Sequence, residues 1–213
     1  MVQLPELYSK HLKKQFNYPQ YLILSILINL LQDLHTVRLE ELARRFPIPI
    51  QLRSRVKKIQ RFLSLSQFDI KILWFPILES WIKTEWQPSK AIYLAIDRSQ
   101  WRAINLLMVS IIYDNRAIPV YFFLLPKKGN SNLAQQKQVL EPVLKLLRDY
   151  KIIVLGDREF CGVELARWLS QQEKVYLSLR LKKNEYVELE EQIWFQLSDL
   201  GLEPPNVLLL SRN

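Results

Sequence analysis

The sequence predicts an α/β fold, in which a helical N-terminal region is followed by a mixed sheet. Two observations predict this order. Before residue 88 the apolar residues recur at helical spacing, and after it short β-branched runs alternate with amphipathic segments. Pro88 separates the two patterns, because a proline disfavours helix at the residue before it. We therefore expect three regions, residues 1–88, 89–185 and 186–213.

The N-terminal region is predicted to be all-helical. Helical spacing of apolar residues predicts a buried helix over about 20–34. A second helix is expected to begin at a Thr36 cap and to end near Phe46, before Pro47. Two more helices are predicted over about 51–64 and 68–84.

The helix predicted over 51–64 carries a cationic strip beside an apolar face. Five of the eleven residues 51–61 are basic and none is acidic. Such a strip suits the phosphate backbone of DNA, and helix, tight turn and basic helix together resemble a helix-turn-helix. The alternative is a solvated face of an ordinary helix. The candidate DNA-binding residues are Arg53, Arg55, Lys57, Lys58 and Arg61.

The second region alternates strands and helices in the order β-β-β-α-β-α-β. Its predicted elements are strands Ile92–Ile96, Ile104–Tyr113 and Val120–Leu125, a helix over about 132–149, strand Lys151–Gly156, helix Val163–Leu169 and strand Val175–Leu181. A short turn at Asp114-Asn115-Arg116 makes the first three strands an antiparallel meander. A strand that follows a helical crossover is usually parallel to its partner, so the fourth strand is expected to run parallel to the first.

Two aspartates follow apolar strands in this order. If the fourth strand pairs with the first, Asp97 and Asp157 meet at one edge of the sheet. Neighbouring carboxylates repel each other, and a divalent cation such as Mg²⁺ relieves that repulsion. The alternative is that each aspartate caps a turn or a helix. Asp114 is expected to be a turn residue only.

Composition and charge limit the class of protein. Of 213 residues 49% are apolar and 24% charged, which is typical of a globular domain. Cys161 is the sole cysteine, so an internal disulfide and a cysteine-rich zinc site are excluded. No apolar run approaches the roughly 20 residues of a membrane-spanning helix, and no secretory signal pattern is present, so we expect a cytoplasmic protein without a membrane partner.

The chain is basic, with a formal net charge of +9. Residues 1–88 carry 13 basic and 7 acidic side chains, whereas residues 89–213 carry 17 and 14. The excess of positive charge is therefore concentrated in the shorter region, residues 1–88. A basic balance favours nucleic acid as a partner, although basic proteins without such a partner also exist.

Five short blocks in the second region resemble DDE transposases of the insertion-sequence-four family. The blocks follow one another in the family's order over about residues 90–185. They are Asp97-Arg98-Ser99-Gln100-Trp101, Ala117-Ile118-Pro119-Val120, Lys127-Lys128-Gly129-Asn130-Ser131, Gly156-Asp157-Arg158-Glu159-Phe160 and Leu179-Arg180-Leu181-Lys182-Lys183-Asn184.

The resemblance implies a partial RNase H-like catalytic core over residues 89–185. The helical residues 1–88, with their basic helix, are the candidate DNA-binding region, and they also suit the family. Asp97 and Asp157 would be the first two of three catalytic carboxylates and would bind two Mg²⁺ or Mn²⁺ ions that serve DNA cleavage and joining. The partner would be double-stranded DNA that carries the terminal inverted repeats of the element. A homodimer would bind this DNA, at the nucleoid. Side chains that would face phosphates, or else be solvated, are Arg98, Lys127, Lys128 and Arg158.

Two further residues, one in a block and one directly after a block, have an ordinary interpretation. Trp101 would stack near a base or lie in the core, and the core is the safer expectation for a tryptophan. Cys161 is expected to be a small buried side chain rather than a nucleophile.

One part of the family pattern is missing. The family's third carboxylate is a glutamate in a downstream block that reads Tyr, Arg, Glu, Lys, and no such block occurs here. The acidic residues after the fifth strand are expected to be solvated: Glu185, Glu188, Glu190 and Glu191. We therefore expect residues 186–213 to begin an insertion that is cut short, and the chain to be poorly soluble because apolar surface is exposed where the missing helix packs.

Three functions follow from these observations. The first is a DNA transposase whose strand cleavage and transfer are impaired because the third carboxylate is missing. The second is a non-catalytic DNA-binding remnant or regulator derived from a transposase. The third is a two-carboxylate nuclease unrelated to transposition.

Overall fold

The computed structural model describes residues 4–87, 89–181, 184–190 and 193–200, of which 187–190 by their backbone only. The chain divides into two compact units after Gln87. Expectations for Glu188, Glu190 and Glu191, and for residues 201–213, fall outside what the structure describes. Among the described residues, no single helix is long and apolar enough to cross a membrane.

The first unit consists of helices. Its elements are α1 (Glu6–Gln15), α2 (Tyr18–Leu34), α3 (Leu39–Arg45), α4 (Leu52–Leu63), α5 (Ile70–Leu73) and α6 (Phe75–Glu85). Asn17 begins α2 with a capping box. The Asn17 side chain accepts a hydrogen bond from the Gln20 backbone amide, and the Gln20 side chain accepts one from the Asn17 backbone amide. Phe16, Phe46 and Phe62 are buried in the core of this unit.

Three details of the helical prediction are wrong. Helix α1 was not predicted from the sequence. Thr36 does not cap α3, since the cap residue is Arg38 and the Thr36 hydroxyl only accepts a bond from the Arg38 amide. The segment predicted as one helix over 68–84 divides at Trp74, because Pro76, which has no amide hydrogen, stands in the first turn of a new helix.

The described residues of the second unit form two sheets and two helices. Its elements are β1 (Ile92–Trp101), β2 (Ile104–Tyr113), β3 (Arg116–Leu124), α7 (Leu133–Leu146), β4 (Ile152–Gly156), α8 (Val163–Ser170), β5 (Val175–Leu179), β6 (Tyr186–Glu190) and β7 (Ile193–Gln196), followed by a 3-10 turn over Leu197–Leu200. The predicted order β-β-β-α-β-α-β is confirmed. The hairpin of β6 and β7 follows it.

The main sheet has the strand order β3-β2-β1-β4-β5. β1, β2 and β3 form the predicted antiparallel meander, and β4 lies parallel to β1 and to β5. Asp114 and Asn115 form the turn between β2 and β3, both with positive φ, which confirms Asp114 as a turn residue. The mixed α/β fold class is thus confirmed.

One face of this sheet is buried beneath the two helices. α7 packs against β2 and β3, and α8 packs against β5. Alternate strand residues such as Leu94, Val109 and Val154 are fully buried on that face. The opposite face carries the other half of each strand, including Asp97, which is exposed.

The first strand differs from its prediction in length. It was expected to end at Ile96, yet it continues to Trp101. The polar residues after Ile96 lack an apolar alternation, so the sequence gives no strand signal there. They are held instead by pairing with β2, which continues to Trp101 opposite Ile104. Asp97 therefore lies inside β1 rather than after it.

Candidate functional site

Asp97 and Asp157 occupy matching positions on neighbouring parallel strands. β1 and β4 pair up to Ile96 opposite Gly156, and the two aspartates are the next residue of each chain segment. Neighbouring strands are about 4.8 Å apart, and both aspartates are exposed. The fold thus brings the two predicted carboxylates to one edge of the sheet, where solvent and cations reach them.

A tight turn follows β4 and orients Asp157. A carboxylate oxygen of Asp157 accepts a bond from the Glu159 amide at 2.9 Å, and the Asp157 carbonyl accepts from the Phe160 amide at 3.0 Å. Phe160 is buried and anchors the turn. The turn can form here because Gly156 has no side chain to collide with Leu179 and Phe160.

A half-buried ion pair lies next to both aspartates in sequence. The Arg98 Nε atom donates to both carboxylate oxygens of Glu159, at 2.9 and 2.7 Å. The side chains are 16% and 12% exposed, so the pair is largely shielded from water. Because Arg98 follows Asp97 and Glu159 lies two residues after Asp157, this pair links the two aspartate segments.

The same pair organises the loop between β3 and α7. Glu159 Oε1 also accepts from the amide and the hydroxyl of Ser131, both at 3.0 Å. Asn105, which is 1% exposed, accepts from Arg98 and donates to the carbonyls of Lys127 and Gly129 at 2.7 and 2.9 Å. The loop backbone is therefore fixed, while the side chains of Lys127 and Lys128 are exposed.

The structure places Trp101, Cys161 and Arg98 differently from expectation. Trp101 is 64% exposed rather than in the core, because β1 beyond Ile96 has β2 on one side and β4 has already ended on the other. Its ring lies 4.8 Å from the Arg102 guanidinium. Cys161 is half-buried, and its thiol donates to the Arg158 carbonyl. The Arg98 guanidinium is held by Glu159 and Asn105, whereas Arg158 is exposed.

The basic helix of the first unit presents four of its five cations to solvent. Helix α4 packs against α3, and its buried residues are Ile59 and Phe62. Arg55 is half-buried and donates to the carbonyls of Ile50, Ala43 and Arg44. It therefore fixes the turn between the two helices. The exposed cations are Arg53, Lys57, Lys58 and Arg61.

Just over half of the chain matches a known family. Residues 88–200 match the family described as Transposase DDE domain. The chain belongs to this family. No curated protein matches the chain. The five-stranded mixed sheet with its helical N-terminal region agrees with an RNase H-like DDE transposase domain, as the resemblance implied. Family membership supports a transposase function and implies binding to DNA.

DDE transposases generally use divalent metal ions. The donor chemistry here fits such an ion, because Asp97 and Asp157 offer the hard oxygen ligands that Mg²⁺ prefers. Within the described part of the chain, however, no group of three or more His, Cys, Asp or Glu side chains is placed to hold a metal. The two aspartates would therefore provide two protein ligands, with the remaining positions open to water and phosphate oxygens.

Sequence reasoning missed the residues that support the aspartates. Glu159 and Ser131 lie within blocks that match the family, yet only their charged neighbours were singled out. Asn105 lies in β2, in a run that is otherwise apolar except for Ser110. A polar side chain within an apolar strand could have indicated a supporting role for Asn105, because a buried amide needs hydrogen-bond partners.

Proposed function

We propose that the chain is an insertion-sequence transposase of the insertion-sequence-four type, which carries out metal-dependent DNA strand cleavage and transfer. The observation that carries this proposal is the register of β1 and β4, which sets Asp97 and Asp157 side by side within the family match. The substrate is double-stranded DNA with the terminal inverted repeats of the element. We further propose that a homodimer acts on it, in the cytoplasm at the nucleoid.

The chemistry divides between the two aspartates and the cations around them. Asp97 and Asp157 would hold Mg²⁺ or Mn²⁺. Two such ions, when bound, activate the attacking oxygen and stabilise the leaving oxygen of a phosphodiester. Lys127 and Lys128 are exposed on the loop that Asn105 and Glu159 hold, and the exposed Arg158 directly follows Asp157. These three cations would bind the DNA backbone. With two assigned carboxylates instead of three, we expect strand transfer to be weak.

The test is nicking of a DNA that carries the element's own ends, in Mg²⁺ or Mn²⁺. We expect Asp97→Asn and Asp157→Asn each to lower the rate at least about 100-fold, the scale on which positioned catalytic groups act. Asp114→Asn is the matched control, since it removes the same charge from a turn where asparagine is equally suited to the positive φ.

Three results of this test are distinguishable. Nicking that is lost in both aspartate variants and kept in Asp114→Asn supports the proposal. Nicking of generic DNA, lost in Asp97→Asn, would favour a nuclease unrelated to transposition. Nicking that survives both substitutions would rule out these aspartates as the active site.

A second function is favoured by a separate observation. No third acidic ligand joins the two aspartates among the described residues, while helix α4 presents an exposed cationic strip. The chain would then be a DNA-binding remnant or regulator derived from a transposase. Salt-sensitive DNA binding that persists in Asp97→Asn and Asp157→Asn, without nicking by the unmodified chain, would support this alternative.

A further inference from the structure

We propose that Asn105 is a positioning residue for DNA binding, which holds the loop of Lys127 and Lys128 in the conformation that binds the phosphate backbone. This inference rests on the proposed function, because it concerns the same DNA. It goes beyond that function by giving a buried amide of β2 a role in phosphate recognition. The loop then meets DNA already ordered, and not as a flexible arm.

Asn105 bonds to the loop on both sides of Lys128. The residue is 1% exposed. Its Nδ2 atom donates to the Lys127 carbonyl at 2.7 Å and to the Gly129 carbonyl at 2.9 Å. Its Oδ1 atom accepts a bond from Arg98 at 3.2 Å. Both donors of the side-chain amide are therefore used on loop carbonyls, and Arg98 fixes the orientation of the amide.

Further bonds hold the same loop from β1 and from the turn after β4. The Gly129 amide donates to Gln100 Oε1 at 3.5 Å, and the Ser131 amide and hydroxyl both donate to Glu159 Oε1 at 3.0 Å. Gly129 has a φ of 85°, which glycine adopts without strain. The loop backbone is thus attached to both hairpin strands and to the segment that directly follows Asp157.

The two lysines leave this ordered backbone with free charges. Both are exposed, and among the described residues neither forms an ion pair. The direction of a side chain follows from its backbone, so carbonyls held on both sides of Lys128 set where the Lys127 and Lys128 ammonium groups reach. Since the backbone is ordered before DNA arrives, its ordering entropy is not lost on binding.

A merely structural role of Asn105 predicts a different pattern of effects. If Asn105 only stabilised the fold, its loss would weaken DNA binding whether or not the lysines are present. If it acts through Lys127 and Lys128, its loss matters only while those side chains are there to be positioned. A double-mutant cycle separates the two cases.

The experiment measures the Kd of the full chain for a fluorescein-labelled DNA duplex of arbitrary sequence, by fluorescence anisotropy at one fixed salt concentration. Phosphate contacts do not depend on sequence. Asn105→Leu keeps a side chain of similar size and removes its three bonds. We expect it to raise the Kd about tenfold, the scale for ordering two flexible side chains on binding. In a Lys127→Gln/Lys128→Gln background the same substitution should change the Kd less than about twofold.

Limited trypsin digestion reports on the loop itself, because trypsin cuts after lysine. We expect faster cleavage after Lys127 and Lys128 in Asn105→Leu, with the other sites unchanged. Ser110→Ala is the matched control, since Ser110 is also buried in β2 but lies opposite Pro119, and it should leave both readouts unchanged. Should Asn105→Leu fail to fold, Asn105→Ser replaces it, because one hydroxyl donor serves at most one of the two carbonyls.

The outcomes separate this inference from the proposed function. A Kd raised by the same factor in both backgrounds overturns the inference, because Asn105 then acts on the fold as a whole. A Kd that Asn105→Leu leaves unchanged, while Lys127→Gln/Lys128→Gln raises it, also overturns the inference and keeps the proposed DNA contacts. If the lysine variant leaves the Kd unchanged, the inference and those two contacts fail together, and nicking by Asp97 and Asp157 is decided separately. An unmodified chain that does not bind the duplex overturns both.

Discussion

At position 156 the backbone of β4 passes so close to two side chains that only glycine fits. A β-carbon built there would lie 2.8 Å from Leu179 Cδ2 and 2.9 Å from Phe160 Cβ. Both distances are well inside van der Waals contact. Since Phe160 is buried and anchors the turn after Asp157, a side chain at 156 would displace the turn that carries the aspartate.

We therefore predict that Gly156→Ala destabilises the protein by about 1–3 kcal/mol, the usual cost of overpacking a filled site. Thermal or denaturant unfolding measures this loss. Gly162→Ala is the matched control: a β-carbon there meets nothing within 4 Å, and the residue has a φ of −65° at the start of α8. It should cost less than about 1 kcal/mol. Equal losses for the two variants would contradict the steric argument.

At the same scale, some site residues could be predicted from sequence and others could not. Asp97 and Asp157 each follow an apolar run, so a local pattern identifies them. The pairing of Arg98 with Glu159 spans 61 residues and depends on the parallel register of β1 and β4. From the local sequence, Arg98 and Glu159 are expected to be two separate surface charges. Their mutual burial follows only from the pairing of the two strands, which brings the strand ends side by side.

At the scale of single elements, α4 separates cations that face solvent from one that holds the fold. Arg53 and Lys57 are exposed on the helix, whereas Arg55 is bonded to three carbonyls of α3 and the following turn. The prediction from sequence placed all five basic residues of α4 in one cationic strip. Helix periodicity alone could not show that one of them points back to the preceding helix.

We predict that Arg53→Gln/Lys57→Gln weakens DNA binding without changing the melting temperature. The slope of log K against log salt should fall by up to about 2, because each phosphate contact contributes close to one unit. Fluorescence anisotropy at several salt concentrations measures this slope.

Lys10→Gln/Lys14→Gln removes the same charge from exposed positions of α1 and is the matched control. Its slope should match that of the unmodified chain. Equal losses in the two double variants would mean that net charge, rather than α4, attracts DNA. Arg55→Gln should differ from both, with a lower melting temperature of the protein, because several carbonyls lose their donor.

The elements that were predicted poorly share one cause. Strand β1 continues through polar residues because β2 pairs with them, and the segment over 68–84 divides where Pro76 begins a new helix. In both cases the bounds of the element are set by a neighbouring strand or by a backbone constraint, and not by apolar periodicity. Strand β2, which has a strong apolar run, was predicted with its observed bounds, Ile104–Tyr113.

At the scale of the whole molecule, the strand order β3-β2-β1-β4-β5 is what turns scattered sequence blocks into one site. It places β4 beside β1, and the register then brings Asp97 and Asp157 together. The parallel orientation of β4 was predictable, because a helical crossover favours parallel neighbours, whereas its place beside β1 entered the prediction only as a condition. The same sheet also has a face that α7 and α8 do not cover.

We predict that this second face makes the chain prone to self-association. Several large apolar side chains on it are about half exposed: Tyr93 47%, Phe122 44%, Leu124 61% and Tyr176 51%. An apolar patch of this kind is an aggregation liability in an isolated protein. Phe122→Thr/Leu124→Lys should lower the associated fraction seen by sedimentation velocity, because a lysine on the edge strand β3 also opposes edge pairing.

The comparison that decides this prediction is with Val37→Lys. Val37 is 83% exposed and belongs to the helical unit, so its replacement adds a charge without changing any side chain of the patch. Melting temperatures of both variants should stay within about 2 °C of the unmodified chain, since surface changes cost little. If Val37→Lys reduces association as much as the β3 variant, added charge is the cause. If the unmodified chain is monodisperse, the exposed face does not cause self-association, and the expectation of poor solubility is wrong.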